Sequence, residues 1–343
     1  MSIEREIGKR LGNLRESLES EGIDAILLSN PNNIRYLTGK ETGRVLISRE
    51  SSVIWVRELY LELYSFSPEF DVRADEEDAV RHYIKDSNIK KLAVENLLVS
   101  LYERRKEELG IELVPTNTVE RLRAVKSDYE LELLRNSASI AKKGMEKAYE
   151  IIKDGTNELD AVADIEYVIR KAGSETPPFM DGMLLASGPD GADIHARARM
   201  KKVMATDLVV VDLGARVDGY YSDMTRTIPV GEPNPLAADI LEFIENLQAE
   251  AIDRIHPGVR AGDIHDFVSK EIENRGYKFY HSTGHGIGLD VHELPNIGPK
   301  SEDALEPGMA FTIEPGIYIP GKFGVRFEDT LSMKKNKIET LTG

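Results

Sequence analysis

The chain has no cysteine, which removes disulfides and thiolate metal ligands at once. No apolar run approaches the ~20 residues needed to span a bilayer. Basic residues are outnumbered 44 to 60, for a formal net charge of -16. That balance argues against a nucleic acid or an anionic membrane as partner. The opening MSIEREIGKRLGNLRESL is a charged amphipathic helix rather than a secretory signal, so a cytoplasmic location is expected. What is present suits a globular protein: 343 residues, 41% of them hydrophobic, enough for two domains with cores of their own.

The first part of the chain alternates helix and strand signals. Ile3, Ile7, Leu11, Leu14 and Leu18 form one helical stripe. Asp24 to Ser29 reads as a strand, broken by Asn30-Pro31-Asn32-Asn33. Arg44 to Val56 reads as two short strands, Asp75 to Ser87 as a helix and Lys91 to Glu95 as a strand. A polar helix over Leu101 to Leu109 and a strand over Ile111 to Val114 complete an α/β domain of ordinary size. Leu122 to Ser127 then reads as a linker into a long helix, Asp128 to about Lys153. Thr156-Asn157 caps a further helix, and a loop with Pro177-Pro178 leads into strand-rich sequence. Two later helices, Pro235 to Ile255 and Ala261 to Gly276, separate two hairpins.

The first hairpin is VVVDLGARVDGYYSDMTRTI, Val209 to Ile228. Asp218-Gly219 is a two-residue turn signal, which places Gly214 opposite Asp223. Asp212 then shares a sheet face with Asp223 as a diagonal neighbour, about 7–8 Å away at the backbone. Two like charges there repel unless a cation lies between them; a pair of solvated rim aspartates is the alternative. The second hairpin, FTIEPGIYIPGKFGVRFEDTLSM from Phe311 to Met333, turns at Pro320-Gly321-Lys322. A turn centred on Gly321 sets Glu314 opposite Glu328, with Arg326 on the same face. A longer or bulged loop would shift that register. An ordinary Arg326–Glu328 pair would explain the arginine and leave Glu314 without a role.

Between the hairpins runs HSTGHGIGLDVHE, His281 to Glu293, holding three of the seven histidines. Glycines 284, 286 and 288 let other groups approach the backbone around His285. His292-Glu293 does not begin a helical zinc-peptidase motif, because Asn296 stands where its second histidine belongs and Pro295 breaks a helix. Gly284 to Gly288 lacks the spacing of a dinucleotide fingerprint. Asp212, Asp223, Glu314, Glu328 and His285 make five candidate ligands, four of them anionic. Two divalent cations would neutralise them, the arrangement of two-metal hydrolases. Oxygen-rich ligation with one imidazole suits Mn²⁺, Co²⁺ or Fe²⁺, with Zn²⁺ admissible.

Asp212, Asp223 eleven residues on, GHGIG at His285, EPG at Glu314 and RFED at Glu328 together resemble the pita-bread metallopeptidases. That family contains methionine aminopeptidase, aminopeptidase P, prolidase and creatinase. HSTGHGIGLDVHE, IEPGIYIP and GVRFEDT resemble the Xaa-Pro group within it, and PNNIRYLTG resembles the N-terminal domain of prolidase and creatinase relatives. The resemblance implies an α+β pita-bread catalytic domain over 123–343, preceded by a smaller α/β creatinase-like domain over 1–122 that controls access and dimerises. It implies two divalent metal ions per subunit, Mn or Co ahead of Fe or Zn, and a homodimer acting on small peptides. Asp212 would hold one metal, Asp223 and Glu328 both, and His285 with Glu314 the other. Glu314 would also carry protons. His292 would bond the substrate carbonyl, and His281 and Arg326 would contact the proline side, Arg326 at a carboxylate. His195 matches the opposite wall, but the family has an Asn and a Pro before it, where this chain has Asp190 and Ile194. The implied activity is Xaa-Pro dipeptide hydrolysis. Aminopeptidase P activity on longer peptides is the alternative, and a non-catalytic peptide-binding module is a third reading, opposed by the intact ligand set.

Overall fold

The computed structural model describes residues 3–343, other than 65–67, 96, 178, 180, 181 and 336. The loop expected at Pro177-Pro178 therefore falls partly outside the described residues. Two compact units divide the chain at 123/124, one residue beyond the boundary expected from sequence. Among the described residues, no helix is long and apolar enough to cross a membrane.

The first unit is built on a six-stranded mixed sheet. Its strands lie in the order Asp71–Ala74, Ser52–Val56, Arg44–Ser48, Ala25–Leu28, Lys91–Val94 and Glu112–Pro115. Ala25–Leu28 and Ser52–Val56 are buried at every position, the mark of strands covered on both faces. Three features depart from the sequence reading. Asn30 to Asn33 does more than end a strand: the Asn30 side chain accepts from the amides of Asn32 and Asn33 and, with Pro31, starts the helix Pro31–Thr38. Asp71–Ala74 is an unforeseen edge strand, because its alternating charges carry no apolar pattern. The expected linker is largely ordered: Thr118–Ala124 is a helix.

The long helix Asp128–Ile151 of the second unit opens at Ser127, whose hydroxyl forms a capping box with the Glu130 carboxylate. An eight-stranded sheet follows. Seven strands lie in the order Glu293–Ile297, Gly284–Gly286, Ala310–Ile313, Glu328–Lys334, Tyr220–Pro229, Leu208–Val217 and Leu184–Ser187, and Lys337–Thr340 pairs with Glu328–Lys334. Two apolar clusters back it. One joins Ile140, Met145, Ile165 and Ile169 to Val209, Val211 and Leu213. The other joins Ile240, Ile244, Val268 and Ile272 to Phe311, Ile313 and Leu331. The carboxylate-bearing middle of the sheet is thus held by packed strands on both sides.

Candidate metal centre

Strand geometry places the first two carboxylates. Asp218 and Gly219 have φ of 50° and 87°, the left-handed pair that a tight hairpin requires. The register follows from it: Val217 pairs with Tyr220, Gly214 with Asp223, and Asp212 with Thr225. In the second hairpin Gly316 pairs with Arg326 and Ile319 with Phe323, while Ala310 pairs with Ser332 and Ile313 with Asp329. Both ladders keep one register about Gly321. Glu314 is not a strand residue, however: it falls in the break between them, with its amide donating to the Thr283 carbonyl at 2.7 Å.

His285 enters through a strand with no room beside it. A Cβ at Gly284 would lie 1.9 Å from the Thr312 carbonyl oxygen, and one at Gly286 would lie 2.0 Å from that of Leu294. His285 Nδ1 faces the Gly286 carbonyl at 3.0 Å. A carbonyl only accepts, so Nδ1 carries the proton and Nε2 presents a lone pair. That Nε2 lies 3.8 Å from Asp223, 3.6 Å from Glu314 and 3.9 Å from Glu328. These gaps exceed hydrogen bonds and suit donors each about 2.1 Å from a shared cation. Donor atoms of Asp223, His285 and Glu328 all lie within 4.8 Å of one another.

The electrostatics describe a site short of positive charge. Burial, then Glu328, Asp212 and Glu314, push Asp223 well above the usual carboxylate range. Burial and Glu328 do the same to Glu314, and burial and Asp212 bring Glu328 to about 8. Burial holds His285 down at about 3 and His281 at about 4. Asp212 Oδ1 and Asp223 Oδ1 are buried with no hydrogen-bond partner, a costly state for carboxylate oxygens. Unsatisfied anionic oxygens beside a neutral imidazole are the chemistry a divalent cation completes, so the residues fit metal ions.

Arg326 lies against this cluster and is 3% exposed. Its Nη2 donates to Asp212 Oδ2 at 2.6 Å, its Nε to Thr225 Oγ1 at 3.2 Å, and its Nη1 to Tyr318 Oη at 3.0 Å and the Ile194 carbonyl at 3.4 Å. The Arg326–Glu328 pair weighed from sequence is replaced by Arg326–Asp212. Tyr318 donates in turn to His281 Nε2 at 2.9 Å, because His281 Nδ1 faces the Ser282 carbonyl at 2.7 Å. His292 meets His285 edge-on with ring centroids 4.2 Å apart. His195 stands exposed on the 188–199 segment, near enough to depress both His281 and His292 electrostatically.

Sequence reading passed over Tyr318 and Thr225. Thr225 Oγ1 donates to Glu328 Oε2 at 2.6 Å. Both were accessible to the same period-two logic: Tyr318 shares a strand face with Gly316, and Thr225 with Asp223. Lys126 and Glu293, an ion pair with side chains 1% and 5% exposed, had no local signal.

The sequence matches Metallopeptidase family M24 over residues 132–335 and the Creatinase/Prolidase N-terminal domain over 10–125. The chain belongs to metallopeptidase family M24. This M24 chain is 35% identical to a Xaa-Pro dipeptidase of Pyrococcus horikoshii, over 98% of its own length and 97% of the relative's. Its fold is similar to that of a Xaa-Pro dipeptidase from Bacillus anthracis, with TM-score 0.92 and 35% identity over 98% and 97% of the two chains. An X-Pro aminopeptidase from Thermotoga maritima is similar as well, with TM-score 0.87 and 30% identity over 97% of each chain. The fold is thus an M24 pita-bread catalytic domain after a creatinase-type N-terminal domain, as the motifs implied.

Proposed function

We propose that this chain hydrolyses the peptide bond before proline in Xaa-Pro dipeptides. The supporting observation is the convergence of Asp223, Glu314 and Glu328 on His285 Nε2, with Asp212 held beside them by Arg326. Asp212, Asp223, His285, Glu314 and Glu328 would hold two divalent cations per subunit, Mn²⁺ or Co²⁺ ahead of Fe²⁺ and Zn²⁺. When bound, the cations supply Lewis acidity and make a water acidic enough to deprotonate near neutrality. Glu314 would be the proton carrier, taking a proton from the attacking water and passing it to the proline nitrogen as the bond breaks. His292 and His195 offer imidazole N–H groups to the carbonyl oxygen as its charge grows. His281 lines the proline side. Arg326 commits four of its five N–H donors to Asp212, Thr225, Tyr318 and the Ile194 carbonyl, which leaves one on Nη2 for a substrate carboxylate. The same reading takes the enzyme as a cytoplasmic homodimer with no nucleic-acid or membrane partner.

A second reading, Xaa-Pro aminopeptidase, is favoured by the similarity to the Thermotoga maritima enzyme. Gly-Pro and Arg-Pro-Pro, each assayed with Mn²⁺, Co²⁺ and Zn²⁺ in turn, separate the two. The dipeptidase reading expects turnover of Gly-Pro and little of the tripeptide. The reverse preference overturns it.

A further inference from the structure

His195 rides on a surface segment with little regular structure, and what holds that segment is a buried carboxylate outside the metal cluster. Glu158, at the start of the helix Glu158–Lys171, is completely buried. Its Oε1 accepts from the Ser187 amide at 2.8 Å and the Ser187 hydroxyl at 2.7 Å, and its Oε2 accepts from the Arg199 amide at 2.9 Å. Ser187 ends a sheet strand and Arg199 lies twelve residues later, so one carboxylate ties together both ends of the segment bearing His195. Lys201 adds a second tie. Its ammonium donates to the Ser187 carbonyl at 2.8 Å and to Asp190 at 2.6 Å, and lies 3.5 Å from Glu158. The segment also docks against the strand of Arg326: a Cβ on Gly324 would lie 1.9 Å from the Gly191 carbonyl oxygen.

We infer that Glu158 and Lys201 are positioning residues for His195, a charged clamp that fixes where its imidazole meets the substrate. The Lys201 contact gives Asp190 a defined partner within the segment. Asp193 closes the segment from within, accepting the His195 amide at 3.1 Å. With both ends pinned and Gly191 pressed on the Arg326 strand, the side chain of residue 195 is placed by contacts remote from it. Displacements of about 1 Å at such a group are enough to slow chemistry by up to ~100-fold.

The inference rests on the peptidase reading for its catalytic consequence, and the test separates the two. Glu158→Gln and Lys201→Met are each made alone and together with His195→Ala. Values of kcat and KM on a Xaa-Pro dipeptide are measured with bound metal quantified. Each single variant is expected to lower kcat roughly tenfold with KM within about twofold, and to cost less than about twofold where His195 is already absent. Equal losses in both backgrounds, or no loss, overturn the inference. Trypsin gives the second readout. The bonds after Arg197 and Arg199 should resist cleavage in the wild type and be cut in the variants. Unchanged resistance also overturns the clamp. A wild type that cuts no Xaa-Pro peptide refutes the peptidase reading, and trypsin still decides the clamp. If Glu158→Gln does not fold, Lys201→Met, whose side chain is 31% exposed, carries both readouts.

Discussion

Removing divalent cations should leave a protein whose stability falls as the solution becomes more basic. In the metal-free site Arg326 offsets part of the charge on Glu314 and Glu328, and protons must neutralise the rest of the cluster with Asp223. Glu328 titrates near 8 in the folded chain against 4.5 when free, so its protonated form is the one the fold prefers. A group with a raised folded value stabilises fully below its unfolded value, and that contribution is lost as pH climbs through the folded value. Between pH 6.5 and 8 the loss for Glu328 alone is about 1.5 units times 1.4, or ~2 kcal/mol. Asp223 and Glu314 are displaced upward as well and act in the same direction. The catalytic unit spans 124–343, 220 residues, for which ~2 kcal/mol corresponds to a fall of ~4–8 °C in Tm. Below pH 6.5 two histidines oppose this trend. His281 and His285 are held neutral, titrating near 4 and 3, so their contribution, complete above 6.5, drains away as pH falls toward those values. Saturating Mn²⁺ should raise the curve and remove its basic decline, since ligand bound only to the folded state stabilises by mass action. Calorimetry of chelator-stripped and reloaded protein from pH 5 to 8.5 measures this. A metal-free Tm that is flat or rises between pH 6.5 and 8 would show that burial does not hold these carboxylates protonated.

Tyr318→Phe removes the hydroxyl joining Arg326 to His281; thermal melts should show a loss of about 1 kcal/mol, and steady-state kinetics a larger effect on kcat/KM than on stability. Lys126→Met strands the buried Glu293 carboxylate and should cost ~3–5 kcal/mol in denaturant unfolding, largely restored by adding Glu293→Gln. Gly286→Ala sets a methyl 2.0 Å from the Leu294 carbonyl oxygen; calorimetric metal titration should find affinity reduced at least tenfold as the His285 strand is forced outward.

The placement of the carboxylates was legible because strand alternation is strict. A turn at Asp218-Gly219 fixes Asp212 and Asp223 on one face whatever surrounds them, and one register about Gly321 does the same for the second hairpin. The family motifs carried His285 and the fold. Legibility failed where partners are distant in sequence. Nothing near Arg326 announces that its guanidinium lies on Asp212, 114 residues earlier. Glu158 reads locally as an ordinary first-turn acid, and only tertiary packing brings it to Ser187 and Arg199. In the first unit, the Asn30-Pro31 signal reads as a break, yet the same residues cap a helix. Turn and cap chemistry share residue types, and the burial of Ile34 and Leu37 decides between them.

Five side chains from two hairpins and one intervening strand are proposed to hold the pair of cations that makes the protein a peptidase. Metal content measured on the purified protein, alongside Gly-Pro hydrolysis before chelation, after it, and after readdition of Mn²⁺ or Co²⁺, tests it most directly. Two metal ions per chain, loss of turnover with the metal, and recovery with it are expected. Folded protein that binds fewer than two ions when saturated, or that cleaves equally well without them, would contradict the proposal.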